Sequence, residues 1–254
     1  MADETIAQVY LQSDQGVPSN EAFYKAWDGF RKRGVPCELF EPHQLHDGSL
    51  PLSRGTLVAG AIRVVESALE TLGVDIPPAD NLPACLAQYR GRQVRKTTWG
   101  TLANEILTNG LSDPLFVKSY CRNKAFPSIA VFSADDIAGH PLQADDEVLV
   151  AEYVVFLSEW RCFVCRDEIL ELCHYQGDPF CFPDGAVIRQ AIQDFRGRAP
   201  AGYAIDFGVL TTDRSTERTV LVEVNEGYSL GPYGINSVDY TQVLEARWLE
   251  LTAG

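Results

Sequence analysis

The chain has 254 residues, of which 46% are hydrophobic and 10% aromatic, so it can bury a complete core as one large or two modest domains. Its net charge of -14 disfavours a nucleic-acid-binding surface, although a nucleotide pocket with a few local cations is compatible with it. No stretch of about 18 apolar residues predicts a membrane span, and the first residues lack the pattern of a signal peptide. Seven cysteines form an odd number without regular spacing, so we expect reduced thiols and a cytoplasmic location.

The first 75 residues alternate between strand and helix patterns. Apolar side chains recur at i, i+3, i+4 and i+7 from Phe23, which is the spacing of one helix face, and Gly34 supplies a stop. Such alternation favours a small, open, mainly parallel sheet. The predicted elements are strands at 7–11, 37–40 and 56–60 and helices at 20–33 and 62–72, followed by a proline-rich connection at 74–83.

The rest of the chain changes style to closely spaced strands. Short turns between them predict antiparallel hairpins, so the fold class is α+β with an α/β unit at the N-terminus. The predicted strands are 115–120, 128–132, 147–155, 159–165 and 169–174, and the predicted helices are one carrying Trp99 to Ile106, one at 186–195 and one at 240–251.

Glu223 and Asn225 lie two residues apart on an apolar run, residues 219–227. Side chains with that spacing on a strand point to the same side. Valine and leucine fill the surrounding positions, so a carboxylate and an amide have no structural reason to be there. A bound hard cation is the simplest explanation.

Asp206 lies on a second apolar run, residues 203–210, joined to the first by a polar loop at 211–218. If the two runs form a symmetric hairpin, Asp206 lies opposite Glu223 on the same face. Two buried, opposed carboxylates need a bound cation or a cationic side chain, and carboxylates with an amide suit magnesium. The alternative is that Asp206 caps a turn and Glu223 pairs with an arginine, and the local pattern leaves both interpretations open.

Two cationic side chains also lie inside apolar strands. Lys118 is in the run 114–120 and Arg161 in the run 159–165. A lone lysine in such a run is usually an edge residue or a snorkelling surface residue. Two such cations in a chain with an acidic cluster instead indicate phosphate clamps, because arginine presents a planar fork and lysine a point charge to phosphate oxygens.

The order of these motifs resembles the ATP-grasp superfamily, whose enzymes use ATP to join a carboxylate to an amine or another nucleophile. The motifs are Phe-Val-Lys at 116–118, Leu-Val-Ala-Glu-Tyr-Val at 149–154, Glu-Trp-Arg at 159–161, Asp206, and Glu-Val-Asn at 223–225. The resemblance runs from about Arg95 to the C-terminus and is similar to small stand-alone members. It implies a pre-ATP-grasp α/β domain at 1–90, a small ATP-grasp subdomain at 91–153 and a large one at 154–254, with antiparallel sheets enclosing ATP.

The resemblance implies a role for each motif. Lys118 is similar to the lysine that contacts the α- and β-phosphates, and Arg161 to the basic residue near the reacting phosphate, so these two are the candidate catalytic residues. Asp206, Glu223 and Asn225 are similar to the magnesium ligands.

Further residues are similar to the family's nucleotide contacts. Glu152, Tyr153 and Val154 match the hinge that presents backbone groups to adenine. Glu159, seven positions after Glu152, matches the acid that binds the ribose hydroxyls. Lys96, or its neighbour Arg95, is a looser match to an upstream phosphate contact. ATP and Mg²⁺ are thus the expected cofactors.

The loop at 119–128 departs from the family pattern, because many members have a glycine-rich flap there and this loop has no glycine. Glycine lets backbone N–H groups approach phosphate closely. Arg122 and Lys124 could replace those groups, the lid could be impaired, or Lys124 could be an ordinary surface lysine. The sequence leaves these alternatives open.

The implied mechanism has two steps: a substrate carboxylate attacks the γ-phosphate, and an amine or similar nucleophile then displaces phosphate. The substrates would be small molecules or peptides. The second substrate is expected near 225–234, where Tyr228, Ser229 and Tyr233 could line a pocket, although turn formation alone also explains the glycines there. A homodimer is possible, and no nucleic-acid or membrane partner is expected.

Two other interpretations compete with this one. Cys162 and Cys165 could indicate zinc or redox chemistry, but their odd spacing on a strand places them on opposite faces, which favours buried thiols. The stronger alternative is a nucleotide-binding module with reduced catalysis, acting in regulation or interaction. The glycine-poor loop favours the module, and the three metal-type ligands favour the enzyme.

Overall fold

A computed structural model describes residues 5–120, 126, 128–138, 140–212 and 216–253 of the chain. The strands of the described residues form three sheets, one parallel and two antiparallel, and each sheet is built from a consecutive part of the chain. The predicted α+β class with a parallel N-terminal unit is therefore confirmed. No helix of the described residues is long and apolar enough to cross a membrane.

The N-terminal unit is a three-stranded parallel sheet in the order β2-β1-β3. Helix α1 begins where Asn20 Oδ1 accepts a hydrogen bond from Phe23 N, and it buries Phe23, Ala26 and Phe30 as the periodicity predicts. A short helix, α2, was not predicted; Pro42 and a capping box start it. The elements are β1 (Gln8–Gln12), α1 (Glu21–Lys32), β2 (Cys37–Phe40), α2 (Pro42–His46), β3 (Thr56–Ala59) and α3 (Ile62–Thr71).

The second sheet, here called the small sheet, is antiparallel with the order β4-β7-β5-β6. Its first strand was missed in the sequence because Arg95 and Lys96 are exposed at the sheet edge and give no apolar pattern. The strand predicted at 147–155 ends at Glu152. The elements are β4 (Val94–Thr98), α4 (Trp99–Asn109), β5 (Leu115–Ser119), β6 (Ile129–Val131) and β7 (Glu147–Glu152), with 3-10 helices at Ala84–Tyr89 and Ala134–Asp136.

The third sheet, the large sheet, is antiparallel with the order β11-β10-β8-β9. The prediction of a polar loop at 211–218 was wrong, because the last two strands continue through most of it. The elements are β8 (Ser158–Cys165), β9 (Glu168–Gly177), α5 (Gly185–Phe195), β10 (Gly202–Thr212), β11 (Thr216–Glu226) and α6 (Ser237–Thr252).

The two faces of the large sheet pack against different cores. Cys162, Ile205 and Phe207 lie in the core that contains α5. Phe163 and Ala204 lie in the core shared with α6 and the N-terminal unit. Cys162 and Cys165 accordingly pack on opposite faces, as their spacing predicted, and cannot chelate one ion.

Candidate active site

The register of β10 and β11 places Asp206 directly opposite Glu223, as predicted. From Phe207 onward the pairing shifts by one residue, so that Phe207 lies opposite Leu221 and Val222 has no partner in the ladder. This bulge means that Leu221 faces the α5 core while Glu223, two residues later, faces the opposite side with Asp206. We call that side the site face.

Arg161 lies next to Asp206 in the neighbouring strand β8. Its Nε and Nη2 donate to the two carboxylate oxygens of Asp206 at 2.8 and 2.7 Å, and Asn225 Nδ2 donates to Asp206 Oδ2 at 3.0 Å. Both charged side chains are almost fully buried. Burial raises the pKa of Asp206 to about 6, against the hydrogen bonds and charge of Arg161. Burial acts to lower the pKa of Arg161, but the bonds to Asp206 raise it overall, so both groups are charged at neutral pH.

Lys118 connects the small sheet to the large sheet. Its Nζ lies 2.9 Å from Glu223 Oε2, and both side chains are largely buried. Burial raises the pKa of Glu223, but the charge and hydrogen bond of Lys118 outweigh it and lower the pKa overall. The two antiparallel sheets therefore meet across this ion pair, and each carboxylate of the predicted metal site has a cationic partner.

Lys96 is on the same face of the small sheet as Lys118. Both residues pair with Leu149 of the central strand β7, one from each side, and residues directly across a ladder share a face. Lys96 Nζ contacts the Tyr120 hydroxyl, whereas Arg95 pairs with Glu105. Lys96 is therefore the residue of the two that faces the site. Lys124 lies outside the described residues.

Glu159 is on the site face, opposite Gly208 and two residues before Arg161. Its carboxylate accepts hydrogen bonds from the Tyr175 hydroxyl at 2.7 Å and from Gln176 Nε2 at 2.8 Å. Burial raises the pKa of Glu159. The position is consistent with the predicted contact to ribose, which stays a prediction.

Glu152, Tyr153 and Val154 lie at the end of β7, three positions along the ladder from the level of Lys118. Glu152 Oε2 accepts from Gln93 N at 2.9 Å, and Tyr153 N donates to Pro114 O at 3.0 Å. The three residues line a separate cavity of about 650 Å³. The Tyr153 N–H is thus already hydrogen-bonded, and the adenine contact of this segment stays a prediction.

Three aromatic residues complete the site face. The Tyr175 and Tyr233 rings stack 4.7 Å apart, and the Arg161 guanidinium lies 4.8 Å from the Tyr233 ring centroid. Phe156 covers Gly208, since a Cβ at Gly208 would lie 2.2 Å from the phenyl ring. The position of Tyr233 in a glycine-rich stretch was a signal for that residue, but nothing in the sequence marked Phe156 or Tyr175.

The expected pocket residues after β11 separate into two groups. The Tyr228 hydroxyl donates to Glu66 at 3.1 Å, and Ser229 Oγ donates to the Gly60 carbonyl at 2.9 Å, so both attach this loop to the N-terminal unit. Tyr233 stays partly exposed beside Arg161 with a left-handed φ of 42°. Left-handed backbone is uncommon for a tyrosine and is found often at functional sites.

The donor set of the site suits a hard divalent cation. Asp206, Glu223 and Asn225 offer oxygen atoms only, on one face and from directly opposed positions. Among the described residues, no group of three or more histidine, cysteine, aspartate or glutamate side chains has a metal-binding arrangement. The predicted site has two carboxylates, and its third ligand is an amide, so Asn225 is needed to complete it.

Comparison with solved structures shows the ATP-grasp fold. The D-cycloserine synthetase DcsG matches with a TM-score of 0.62 at 11% identity, over 95% of this chain and 99% of the synthetase. N5-carboxyaminoimidazole synthetase from Staphylococcus aureus matches with a TM-score of 0.59 at 11% identity, over 96% and 77%. D-alanine–D-alanine ligase from Bacillus anthracis, complexed with ATP, matches with a TM-score of 0.54 at 14% identity, over 97% and 96%.

A family model gives the narrower assignment. The chain belongs to a family of ATP-grasp domains, the second family of its clade, whose model matches residues 89–243. That segment contains every residue predicted here to contact ATP or magnesium. No curated protein matches the chain by sequence.

Proposed function

We propose that the protein is an ATP- and magnesium-dependent ligase that activates a carboxylate as an acyl phosphate for attack by an amine or similar nucleophile. One observation carries the proposal: two buried, opposed carboxylates and two cationic side chains meet between the two antiparallel sheets. The described structural neighbours are ligases or synthetases by name, which supports this class of reaction.

Each residue of the site has a part in the proposal. Lys118 and Lys96 hold phosphate oxygens from the small sheet, and Arg161 neutralises charge that develops on the transferred phosphoryl group. Magnesium, bound by Asp206, Glu223 and Asn225, would supply further neutralisation of the phosphate charge. The protein thus aligns and stabilises, and it needs no nucleophile of its own.

The bond changes of the proposed reaction balance without a protein intermediate. A carboxylate oxygen of the first substrate attacks the γ-phosphorus, and the bond between that phosphorus and the bridging oxygen of ADP breaks. The amine nitrogen then attacks the acyl carbon, the bond to the phosphate oxygen breaks, and inorganic phosphate leaves. The nitrogen loses a proton, which leaves an amide, ADP and phosphate.

A cavity of about 600 Å³ offers space for a substrate next to the site. It extends from Tyr120, two residues after Lys118, to Tyr228, three residues after Asn225, and the N-terminal unit and the 74–79 connection form its other walls. Its described lining includes four carboxylates and no lysine or arginine, which favours a substrate with a positively charged or amine group. We infer that the three predicted domains, divided at about 90 and 153, cooperate at this point, in a cytoplasmic protein.

ADP release tests the proposal. The purified protein is supplied with ATP, magnesium, and panels of carboxylates and amines, and ADP is measured with each substrate pair and with each substrate alone. We expect ADP release that needs magnesium and a carboxylate, with net turnover only when an amine is also present. Tight ATP binding without turnover across the panels would instead support the binding module. The existing pairing of both carboxylates with Arg161 and Lys118 is the observation that favours the module, since it balances their charge without a metal.

A further inference from the structure

Arg92, just before β4, donates hydrogen bonds to the backbone of β11. Its Nη1 donates to the Leu221 carbonyl at 2.8 Å, and its Nη2 donates to the Val222 carbonyl at 3.0 Å. Leu221 and Val222 are the two residues that immediately precede Glu223. One guanidinium fork therefore holds the backbone of the strand that carries two predicted magnesium ligands.

The carbonyls that Arg92 binds belong to the bulge of β11. Val222 has no partner in the ladder with β10, and β11 is the edge strand of the large sheet, so its outer side has no strand beside it. Asn81 bonds the outer side at Val224, with its carbonyl accepting from Val224 N at 2.8 Å. Arg92 provides donors for the adjacent carbonyls, which would otherwise lack protein partners at a partly buried position.

The position of the bulge determines which way Glu223 points. Val220, opposite Gly208, is on the site face, and so is Glu223, although the two are an odd number of residues apart. One extra residue between them makes this possible. If the bulge moved past Glu223, the carboxylate would turn towards the α5 core and away from Asp206 and Lys118, because a slip of one residue reverses the face.

Arg92 also contacts the segment that joins the two antiparallel sheets. Its guanidinium lies 5.6 Å from the Phe156 ring centroid, and Phe156 covers Gly208 on the site face. Burial lowers the pKa of the Arg92 guanidinium, and the nearby charges of Glu159 and Glu223 oppose that shift. The side chain is therefore central to the site without forming an ion pair of its own among the described residues.

We propose that Arg92 is a positioning residue for Glu223: it fixes the bulge of β11 and so holds the Glu223 carboxylate on the site face. The inference rests on the proposed role of Glu223 in binding magnesium. Arg92 acts through the backbone and has no assigned contact with substrate.

The test compares Arg92→Met and Arg92→Lys with a matched control, Arg90→Met. Arg90 also donates to backbone carbonyls, but to those of Leu82 and Pro83 in the connection rather than to β11. Hydrogen exchange of residues 220–226 is measured in the metal-free protein, and ADP release is measured against magnesium concentration. The first readout requires neither nucleotide nor activity.

We expect Arg92→Met to accelerate exchange in 220–226 and to raise the magnesium concentration for half-maximal turnover by about tenfold or more, as loss of a supporting contact to a metal ligand does. Arg92→Lys, which keeps the charge but loses the fork, should show the same changes to a smaller extent. Arg90→Met should leave the magnesium dependence within about twofold of the wild type.

Unchanged exchange in both Arg92 variants would overturn the inference, as would faster exchange with an unchanged magnesium dependence. A wild-type protein without magnesium-dependent turnover would instead contradict the proposed function. In that case the exchange measurement still decides whether Arg92 holds the bulge, so the two failures are distinguishable.

Discussion

Arg161 and Asp206 face each other across the ladder between β8 and β10 and share two hydrogen bonds of 2.8 and 2.7 Å. The same arginine is predicted to contact the reacting phosphate, and the same aspartate is predicted to bind magnesium. Lys118 and Glu223 are related in the same way. Under the proposed function, entry of magnesium and ATP exchanges the partners of these four groups, with the metal replacing the cationic side chains at the carboxylates.

Breaking the Arg161–Asp206 pair should strongly destabilise the fold. Asp206→Asn leaves the arginine buried without a compensating charge, so we expect the free energy of unfolding to fall by about 3–5 kcal/mol. Urea denaturation measures it. The control is Asp167→Asn, which removes the half-exposed partner of Arg196 and should cost about 1 kcal/mol or less. Adding Arg161→Met to Asp206→Asn should recover part of the loss, and equal costs for the buried and exposed variants would argue against this pair.

Removal of the predicted metal ligands on β11 should abolish magnesium-dependent turnover while the fold stays intact. Glu223→Ala and Asn225→Ala each delete one oxygen donor of the proposed site. Activity is measured as ADP release, and folding is checked by circular dichroism. Glu217→Ala is the control, because Glu217 is exposed on the same strand. Unchanged activity in either ligand variant would sink the metal assignment.

Gly208→Ala should displace the Phe156 ring from the site face. The added Cβ would lie 2.2 Å from the ring, so either the phenyl group or the strand must move. We expect a loss of about 1–3 kcal/mol in stability, typical of overpacking, and weaker ATP binding. Calorimetry measures both. At Gly55 the nearest atom to an added Cβ is 3.9 Å away, so Gly55→Ala serves as the control, and similar effects of the two variants would refute the role given to Phe156.

The buried thiols should resist alkylation in the native protein. Burial raises the pKa of Cys162 to about 12 and that of Cys173 to about 11, so almost no thiolate is present at about pH 8. Mass spectrometry after iodoacetamide treatment should find both unmodified until the protein is unfolded. A chelator should not change this, because no zinc protects them. Rapid native modification of Cys162, or modification only after chelation, would restore the metal or redox interpretation.

The sequence predicted the parts of the site that lie on regular apolar strands. Asp206 and Glu223 could be paired because both runs are long and apolar around a single polar residue. The bulge at Val222 could not be predicted, since one extra residue leaves the apolar pattern of β11 unchanged. The strand β4 was missed because it is polar and at an edge, and the ends of β10 and β11 were assigned to a loop because they are polar beyond the core.

Residues that act through the backbone gave no signal in the sequence. Arg92 binds carbonyls about 130 positions away in the chain, and that contact depends on the folded arrangement of two sheets. Phe156 is similar, because its role arises from the absence of a side chain at Gly208. By contrast, the small size of the parallel N-terminal sheet followed directly from the alternation of strand and helix patterns in the first 75 residues.

Titration calorimetry of ATP with the wild-type protein and Lys118→Met, each with and without magnesium, tests the central claim most directly. We predict that the wild type binds ATP much more tightly with magnesium, and that Lys118→Met weakens this binding by about tenfold or more, since it removes a charge-assisted contact to phosphate. Lys32→Met, at an exposed pair with Asp28, should bind as the wild type does. ATP binding that needs no magnesium and is unaffected by Lys118→Met would contradict the account.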